Sequence, residues 1–404
     1  MKKILLIAAL AIVGTAAFGQ KKNVKIAEIA TWDMETPNFT EARQCIQQAM
    51  VDPTTANQAK TYQVAGLVEV AYFKFNSGSL NDDVYSALKN AYPYLLKAVE
   101  LEKIPDEKGK VSNKLTKVIA KELEAIQEYY YYGGGHFINA GDQQSAYEMF
   151  SIMSDICEQD FMANSKINCQ DTMHMQARYF AAMTAVQMGN YKAALKSLDL
   201  SKADNFNVCD VYNAYAYVYE QTKDTANLIN IFKEGISKLG SEINGKEYAF
   251  LPRLINVYIN QDNTAEAIAL IESSLKENPN DCEYLKLLGS LYYEQKNEAK
   301  AIETLEKAIE INPSYAEAYG ELGRIFYNNA ITISNEVSEI QDNKAYSTAR
   351  EEKVKPAFLK AAPYFEKALK LDPSEFSYMN SLRNIYYNAE DGANLERIEK
   401  LMGE

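Results

Sequence analysis

The chain has 404 residues, of which 47% are hydrophobic and 24% charged, and its formal net charge is −13. A chain this acidic repels nucleic-acid phosphates and anionic headgroups, which argues against both as main partners. Its length suggests two or three globular domains, unless it is built from repeats that each pack only on their neighbours.

Lys2 and Lys3 form a short basic start, Ile4 to Val13 an apolar run, and Ala17-Phe18-Gly19 a small-x-small site before Gln20. Together these predict a secretory signal over residues 1–19. The run is short for a membrane span, and the Cys that a bacterial lipoprotein anchor needs does not follow the small residues. The expectation is an exported mature chain without an integral membrane span. It would reside in the periplasm, with outer-membrane association or secretion as alternatives. Loss of Lys2 and Lys3 would leave it two charges more acidic. Trp32 and Asp33 follow, expected to lock the amino terminus onto the rest, with exposure to a partner as the alternative.

Asn38 to Met50 is predicted as the second helix of a partial hairpin. Residues 55–77 form a helix with Gly66 at a small crossing position, and Asp82 to Glu102 is its partner, carrying Ala91, Leu95 and Ala98. Val111 to Ala140 is a long helix with Gly134 at the close-packing position, a turn at Gly141-Asp142, and Ala146, Phe150 and Met153 beyond. Gly133-Gly134-Gly135 invites a phosphate-loop reading, because bare backbone amides can cradle an anion. The Gly-Lys-Ser/Thr ending and the preceding strand are missing. A close helix crossing beside Tyr129 to Tyr132 fits better, at about 1 kcal/mol per glycine relative to alanine.

After a connection over 161–174, a unit from Met175 has Ala182, a turn at Gly189-Asn190-Tyr191, then Ala194 and Leu198. The next begins at Cys209 with Ala216, Tyr219, Leu228 and Phe232. Beyond Ser241 to Lys246, another opens near Tyr248 with Tyr258, Ala267, Ile271 and Pro279. The five cysteines (Cys45, Cys157, Cys169, Cys209 and Cys282) are scattered without a CxxC, so no metal site is predicted. In an oxidising compartment Cys157 and Cys169 can bridge the loop between two hairpins, and buried free thiols are the alternative.

The pattern is clearest from Cys282 to Tyr315. Leu288-Gly289, Tyr292, Ala301, Leu305, Ala308 and Pro313 put small residues where two helices cross, larger ones where hairpins meet, and a helix stop at the end. In a unit of about 34 residues this resembles the tetratricopeptide repeat (TPR) family. The resemblance is most specific over 248–330 and 361–374, moderate over 127–235 and weak before 105. The next unit starts at Ala316 with Leu322-Gly323 and Phe326, yet resumes only at Ala361, Phe365, Ala368 and Pro373. The helical spacing of Ile331, Val337 and Ile340 makes the insertion, about 331–356, a protruding helical hairpin turning near Asp342-Asn343. A last unit from Phe376, with Leu382 and Tyr386, ends in a capping helix over Asn394 to Met402.

The expected fold class is therefore all-α, a right-handed superhelical solenoid of helix–turn–helix hairpins. After the signal come irregular hairpins over 20–105, then repeats over 106–247 and 248–404.

Little here points to catalysis, and no cofactor is expected. The two histidines, His136 and His174, have no carboxylate or Cys at ligand spacing. Glu303, Glu306, Lys307 and Glu310 read as a solvated helix face. The family resemblance implies instead a concave groove lined by the first helix of each unit. Carried onto this chain, the lining is Tyr131, Gly135 and Asn139; Tyr179, Met183 and Gln187; and Asn213, Tyr217, Glu220 and Gln221. It continues through Asn256 and Asn260; Lys286, Ser290, Tyr293 and Glu294; and Arg324, Tyr327 and Asn328. Tyr and Asn side chains give apolar area plus hydrogen bonds to a peptide or a sugar, although packing between helices competes for each tyrosine. The Lys–Asn pair with which chaperone-binding members hold a carboxylate is absent, since Asn213–Tyr217 and Lys286–Ser290 stand at those offsets. The expected function is a non-catalytic scaffold of the cell envelope that binds a protein or peptide partner. Glycan binding at the outer membrane is the alternative.

Overall fold

The computed structural model describes residues 21–32, 35–239 and 250–403, and among these no strand occurs. The predicted signal, Asp33, and the stretch from Ser241 through Tyr248 lie outside the described residues. The chain divides into two compact units at Ile231–Phe232.

In the first unit a helix over 21–29 precedes α1 (Phe39–Val51), α2 (Ala59–Asn76), α3 (Asp82–Glu102), α4 (Lys114–Ala140), α5 (Gln143–Glu158), α6 (Thr172–Gln187), α7 (Tyr191–Ala203), α8 (Val208–Thr222) and α9 (Thr225–Leu239), within which the boundary falls. The second unit holds α10 (Phe250–Asn260), α11 (Thr264–Glu277), α12 (Cys282–Glu294), α13 (Glu298–Ile311), α14 (Ala316–Ser338), α15 (Asn343–Ala349), α16 (Lys355–Leu371), α17 (Phe376–Asn388) and α18 (Gly392–Met402). Each unit is a stack of antiparallel helical hairpins, so the fold is an all-α helical repeat.

The spacing of small and large residues sets the crossing within a hairpin. A Cβ on Gly289 would stand 2.7 Å from Leu305 Cγ and 3.2 Å from the Ala301 carbonyl oxygen. The same first-helix glycine meets the same second-helix position at Gly66–Leu95, Gly134–Phe150 and Gly323–Phe365, at 2.5–2.9 Å. Ala301, Leu305 and Ala308 are fully buried, as an interior packed at crystal-like density requires of the residues at a helix crossing.

The turns inside hairpins repeat one device. A residue in the left-handed region ends the first helix, and the next residue, Asp or Asn, returns its N–H to the carbonyl five residues back. Asp142 reaches Phe137, Asn190 reaches Ala185, Asn297 reaches Tyr292 and Asp391 reaches Tyr386, at 2.8–3.0 Å. This pairing satisfies carbonyls that the helix end leaves open. In the same four turns the Asp or Asn side chain then accepts an N–H of the second helix. Gly141 and Gly189 suit the left-handed position, but Lys223 and Lys296 occupy it at φ of 57° and 61°. Lys296→Gly is therefore expected to stabilise the chain by about 1 kcal/mol, the left-handed penalty of an L-residue less the added freedom of the unfolded chain. A thermal melt that shifts down would refute this.

Trp32 does not lock the amino terminus. It is 68% exposed, whereas Ala27 and Ala30 are buried in a cluster with Ala42, Ile46 and Val64.

In the second unit α14 runs past its hairpin to Ser338, and the chain returns through α15 and a π turn, Arg350–Val354, into α16. Pro356 stands in the first turn of α16, where its missing N–H is tolerated. The base of this insertion is fastened to the last hairpin. Arg350 and Lys355 bond to the carboxylate of Glu390 at 3.0 and 2.8 Å, in the α17–α18 turn.

Candidate functional site

Within the first unit, the first helices of consecutive hairpins enclose a groove of about 670 Å³. Tyr179, Met183 and Gln187 of α6 line it, and Asp210, Asn213 and Tyr217 of α8 face them. Phe180 and, from α4, Ile138 complete its apolar wall. Helical periodicity explains the arrangement, because residues four apart share a face. Ala177, Ala181 and Ala185 turn the other way and are fully buried, or nearly so.

Tyr179 donates its hydroxyl to Asp210 Oδ2 at 3.0 Å, and its ring stands edge-on to Phe180 and Phe206. The hydrogen bond ties α6 to α8 and orients a carboxylate at the groove. Tyr217 is 43% exposed and Ile138 37%, so much of the apolar lining faces solvent. Among the described residues, no Lys or Arg lines this groove.

The groove thus gathers Tyr179, Gln187, Asn213 and Tyr217 of the expected set, together with Met183. Tyr131 lies elsewhere. Its ring is edge-on to Phe150 at 5.9 Å and its hydroxyl bonds Gln176 Oε1 at 2.8 Å, so it joins α4 to α5 and α6. Asn139 and Gln221 are exposed outside the lining.

In the second unit Asn256 lines a smaller hollow, about 260 Å³, between α10 and α12, with Asp281, Glu283 and Tyr284. Asn260 is exposed and not part of it. Tyr293 and Arg324 meet each other, with the guanidinium 5.5 Å from the ring centre, and Glu321 holds both Arg324 and the Ser290 hydroxyl. The Ser290 hydroxyl also lies 3.2 Å from the carbonyl of Lys286. Tyr327 packs edge-on against Phe358 at 5.6 Å, and burial pushes its hydroxyl pKa up. Asn328, next to it, is half-buried. This face is therefore an interlock of α12, α14 and α16 more than an open wall.

Both histidines have a carboxylate beside them, contrary to the reading of their sequence spacing. His136 Nε2 lies 2.6 Å from Asp82 Oδ1, brought there by the packing of α4 on α3. His174 is fully buried and its Nδ1 lies 2.8 Å from Asp171 Oδ1, the residue that also caps α6. Neither pair lines the groove, and among the described residues no cluster of three or more His, Cys, Asp or Glu could hold a metal ion.

Cys157 and Cys169 are joined in a disulfide, with Cα atoms 5.8 Å apart, and Cys45, Cys209 and Cys282 are free thiols. It closes the connection between α5 and α6. Arg178 reinforces the same connection, donating to the Cys169 carbonyl at 2.7 Å and to both oxygens of Asp204 at 2.5 and 2.8 Å. Sequence reasoning passed over Arg178; the signal was a charge set among Ala177, Ala181 and Ala182, on the buried side of the helix.

Residues 289–329 match the family model described as TPR repeat. A search of the curated proteins finds no match. Among solved structures the chain is similar to a TPR repeats protein from Bacteroides fragilis, with 19% identity, 65% of this chain and 98% of that one covered, and a TM-score of 0.33. It is also similar to the C-terminal part of a TPR repeat-containing protein from Cytophaga hutchinsonii, with 15% identity, 67% and 93% covered, and a TM-score of 0.40. A third is YrrB, described as a TPR protein with an unusual peptide-binding site, with 17% identity, 49% and 94% covered, and a TM-score of 0.31. No helix among the described residues is long and apolar enough to cross a membrane.

Proposed function

The chain is a tetratricopeptide-repeat protein, and from that premise we propose that it is a non-catalytic scaffold of the cell envelope that holds a segment of a partner protein in its first-helix groove. The observation that carries this reading is the groove of the first unit, where Tyr179, Met183, Asn213 and Tyr217 put apolar area and hydrogen-bonding groups on one continuous surface. Rigid hairpins hold these side chains in place before the partner arrives, so binding loses little scaffold entropy. The basic, apolar and small-residue pattern over 1–19 supports export, and the Cys157–Cys169 disulfide suits an oxidising compartment. The insertion between α14 and α16 offers a second contact surface.

Cross-linking in the native envelope followed by mass spectrometry tests the proposal. One protein partner should be recovered, and Tyr217→Ala should weaken its binding at least tenfold, on the scale of an interface anchor, with the helical signal unchanged. Unchanged binding would refute the groove. The exposed rings of Tyr129, Tyr132 and Tyr217 favour, as a second reading, stacking on sugars. Calorimetry against a polysaccharide panel separates the two.

A further inference from the structure

In the second unit, the last hairpin and the one before it enclose a groove of about 720 Å³. It lies chiefly between their second helices, α16 and α18, rather than along the first helices. Pro363, Glu366, Lys367 and Lys370 form one wall, at the i, i+3, i+4, i+7 spacing of a single face of α16. Arg397 and Leu401, four apart on α18, stand across from them, and Leu401 is exposed. Pro373 and Met379 add to the apolar lining.

Charge sets this groove apart. The first-unit groove and the hollow between α10 and α12 carry only acids as charged lining residues, Asp210 in one and Asp281 and Glu283 in the other. Here Lys367, Lys370 and Arg397 meet a single acid, Glu366. That acid is already engaged, because its Oε1 accepts from the Arg397 guanidinium and, at 2.7 Å, from the Tyr386 hydroxyl. The acids next along the chain face their own turn. Asp372 accepts the Ser374 N–H and hydroxyl at 3.0 and 2.6 Å, and Glu375 the Ser377 N–H at 3.1 Å. Lys367 stands 5.8 Å from the ring centre of Tyr319, a contact that leaves its charge whole. Among the described residues, neither Lys367 nor Lys370 forms an ion pair. At physiological salt a charge beyond about 8 Å is largely screened. This local surplus, not the net charge of −13, therefore decides what enters.

We infer that the groove is a further docking surface, and that its occupant is an acidic, apolar peptide segment of a partner protein. Carboxylates of the segment meet Lys367 and Lys370, and its apolar side chains settle against Pro363, Met379 and Leu401. A recess of this size encloses side chains, whereas a bilayer surface calls for a protruding apolar face. The inference stands whether or not the first-unit groove holds a partner.

Short synthetic peptides alternating leucine with glutamate, glutamine or lysine, titrated by calorimetry into the full chain, test this. The glutamate peptide should bind at least tenfold tighter than the lysine one, and should weaken as salt rises from about 0.15 to about 0.5 M. Lys367→Gln/Lys370→Gln should shrink the glutamate-over-glutamine preference severalfold with the helical signal unchanged. Leu401→Ser should weaken the glutamate and glutamine peptides alike. Tyr217→Ala, in the first-unit groove, should change neither. Equal binding of the three peptides, no binding by any, or a glutamate peptide indifferent to the lysine substitutions overturns the inference. Loss of glutamate-peptide binding in Tyr217→Ala but not in the lysine variant would place the segment in the first-unit groove and overturn it as well. Phosphatidylglycerol vesicles are the remaining probe. If they bind, lose binding in the lysine variant, and no peptide binds, the face is a membrane contact and the peptide site is wrong.

Discussion

Arg178→Ala is expected to lower the unfolding free energy by about 3–5 kcal/mol, the usual result of removing one partner from a buried ion pair. The side chains of Arg178 and Asp204 are only 7% and 5% exposed. The guanidinium meets the carboxylate with two donors and the Cys169 carbonyl with a third. Removing it strands a carboxylate and a carbonyl away from water. Arg178→Lys should recover only part, because a single ammonium cannot reproduce the planar fork. The double variant Arg178→Met/Asp204→Leu should recover most of the loss, since no charge is then left unpaired. Denaturant unfolding reads each value, and a loss below about 1 kcal/mol would place the pair with exposed salt bridges. Because Arg178 also holds Cys169, its effect should not add simply to that of reducing the disulfide.

The same hairpin separates what could be read in the sequence from what could not. Alanine and glycine spacing reports on contacts inside one hairpin, where helix geometry converts sequence offset directly into position. Gly66 meets Leu95 as Gly289 meets Leu305, although the first pair is further apart in the chain. The turns at Gly141 and Gly189 were visible for the same reason. Those at Lys223, Asp262, Lys296 and Glu390 were hidden because a non-glycine residue holds the left-handed position, leaving only the Asp or Asn after it as a signal. The groove was legible as a set of offsets but not as a surface. Tyr131 and Tyr179 hold comparable offsets, yet one ring is caught against Phe150 while the other bonds Asp210. That difference depends on neighbours brought together by stacking, as does the meeting of His136 with Asp82.

Glu102 carries the other large expectation. It ends α3 and is buried, and its carboxylate accepts the N–H groups of Leu115 and Thr116 and the Thr116 hydroxyl, at 2.7–2.9 Å. One acid thus caps the first turn of α4, the long helix that carries Gly135 and Ile138, from the preceding hairpin. Burial alone would push its pKa up, but those donated hydrogen bonds outweigh burial and hold it below the ordinary carboxylate value. A depressed folded pKa means that the unfolded chain binds the proton first, so the carboxylate contributes its full stability above about pH 4.3. That contribution disappears as pH falls through the folded value. Glu102→Ala should cost about 2–3 kcal/mol at pH 7, from unpaired helix N–H groups and a lost charged acceptor. Glu102→Gln should cost less and should flatten the fall in stability on the acid side of pH 4.3. Denaturation midpoints for parent and variant between pH 7 and pH 3 provide the test, and parallel curves would mean that Glu102 is not the titrating cap.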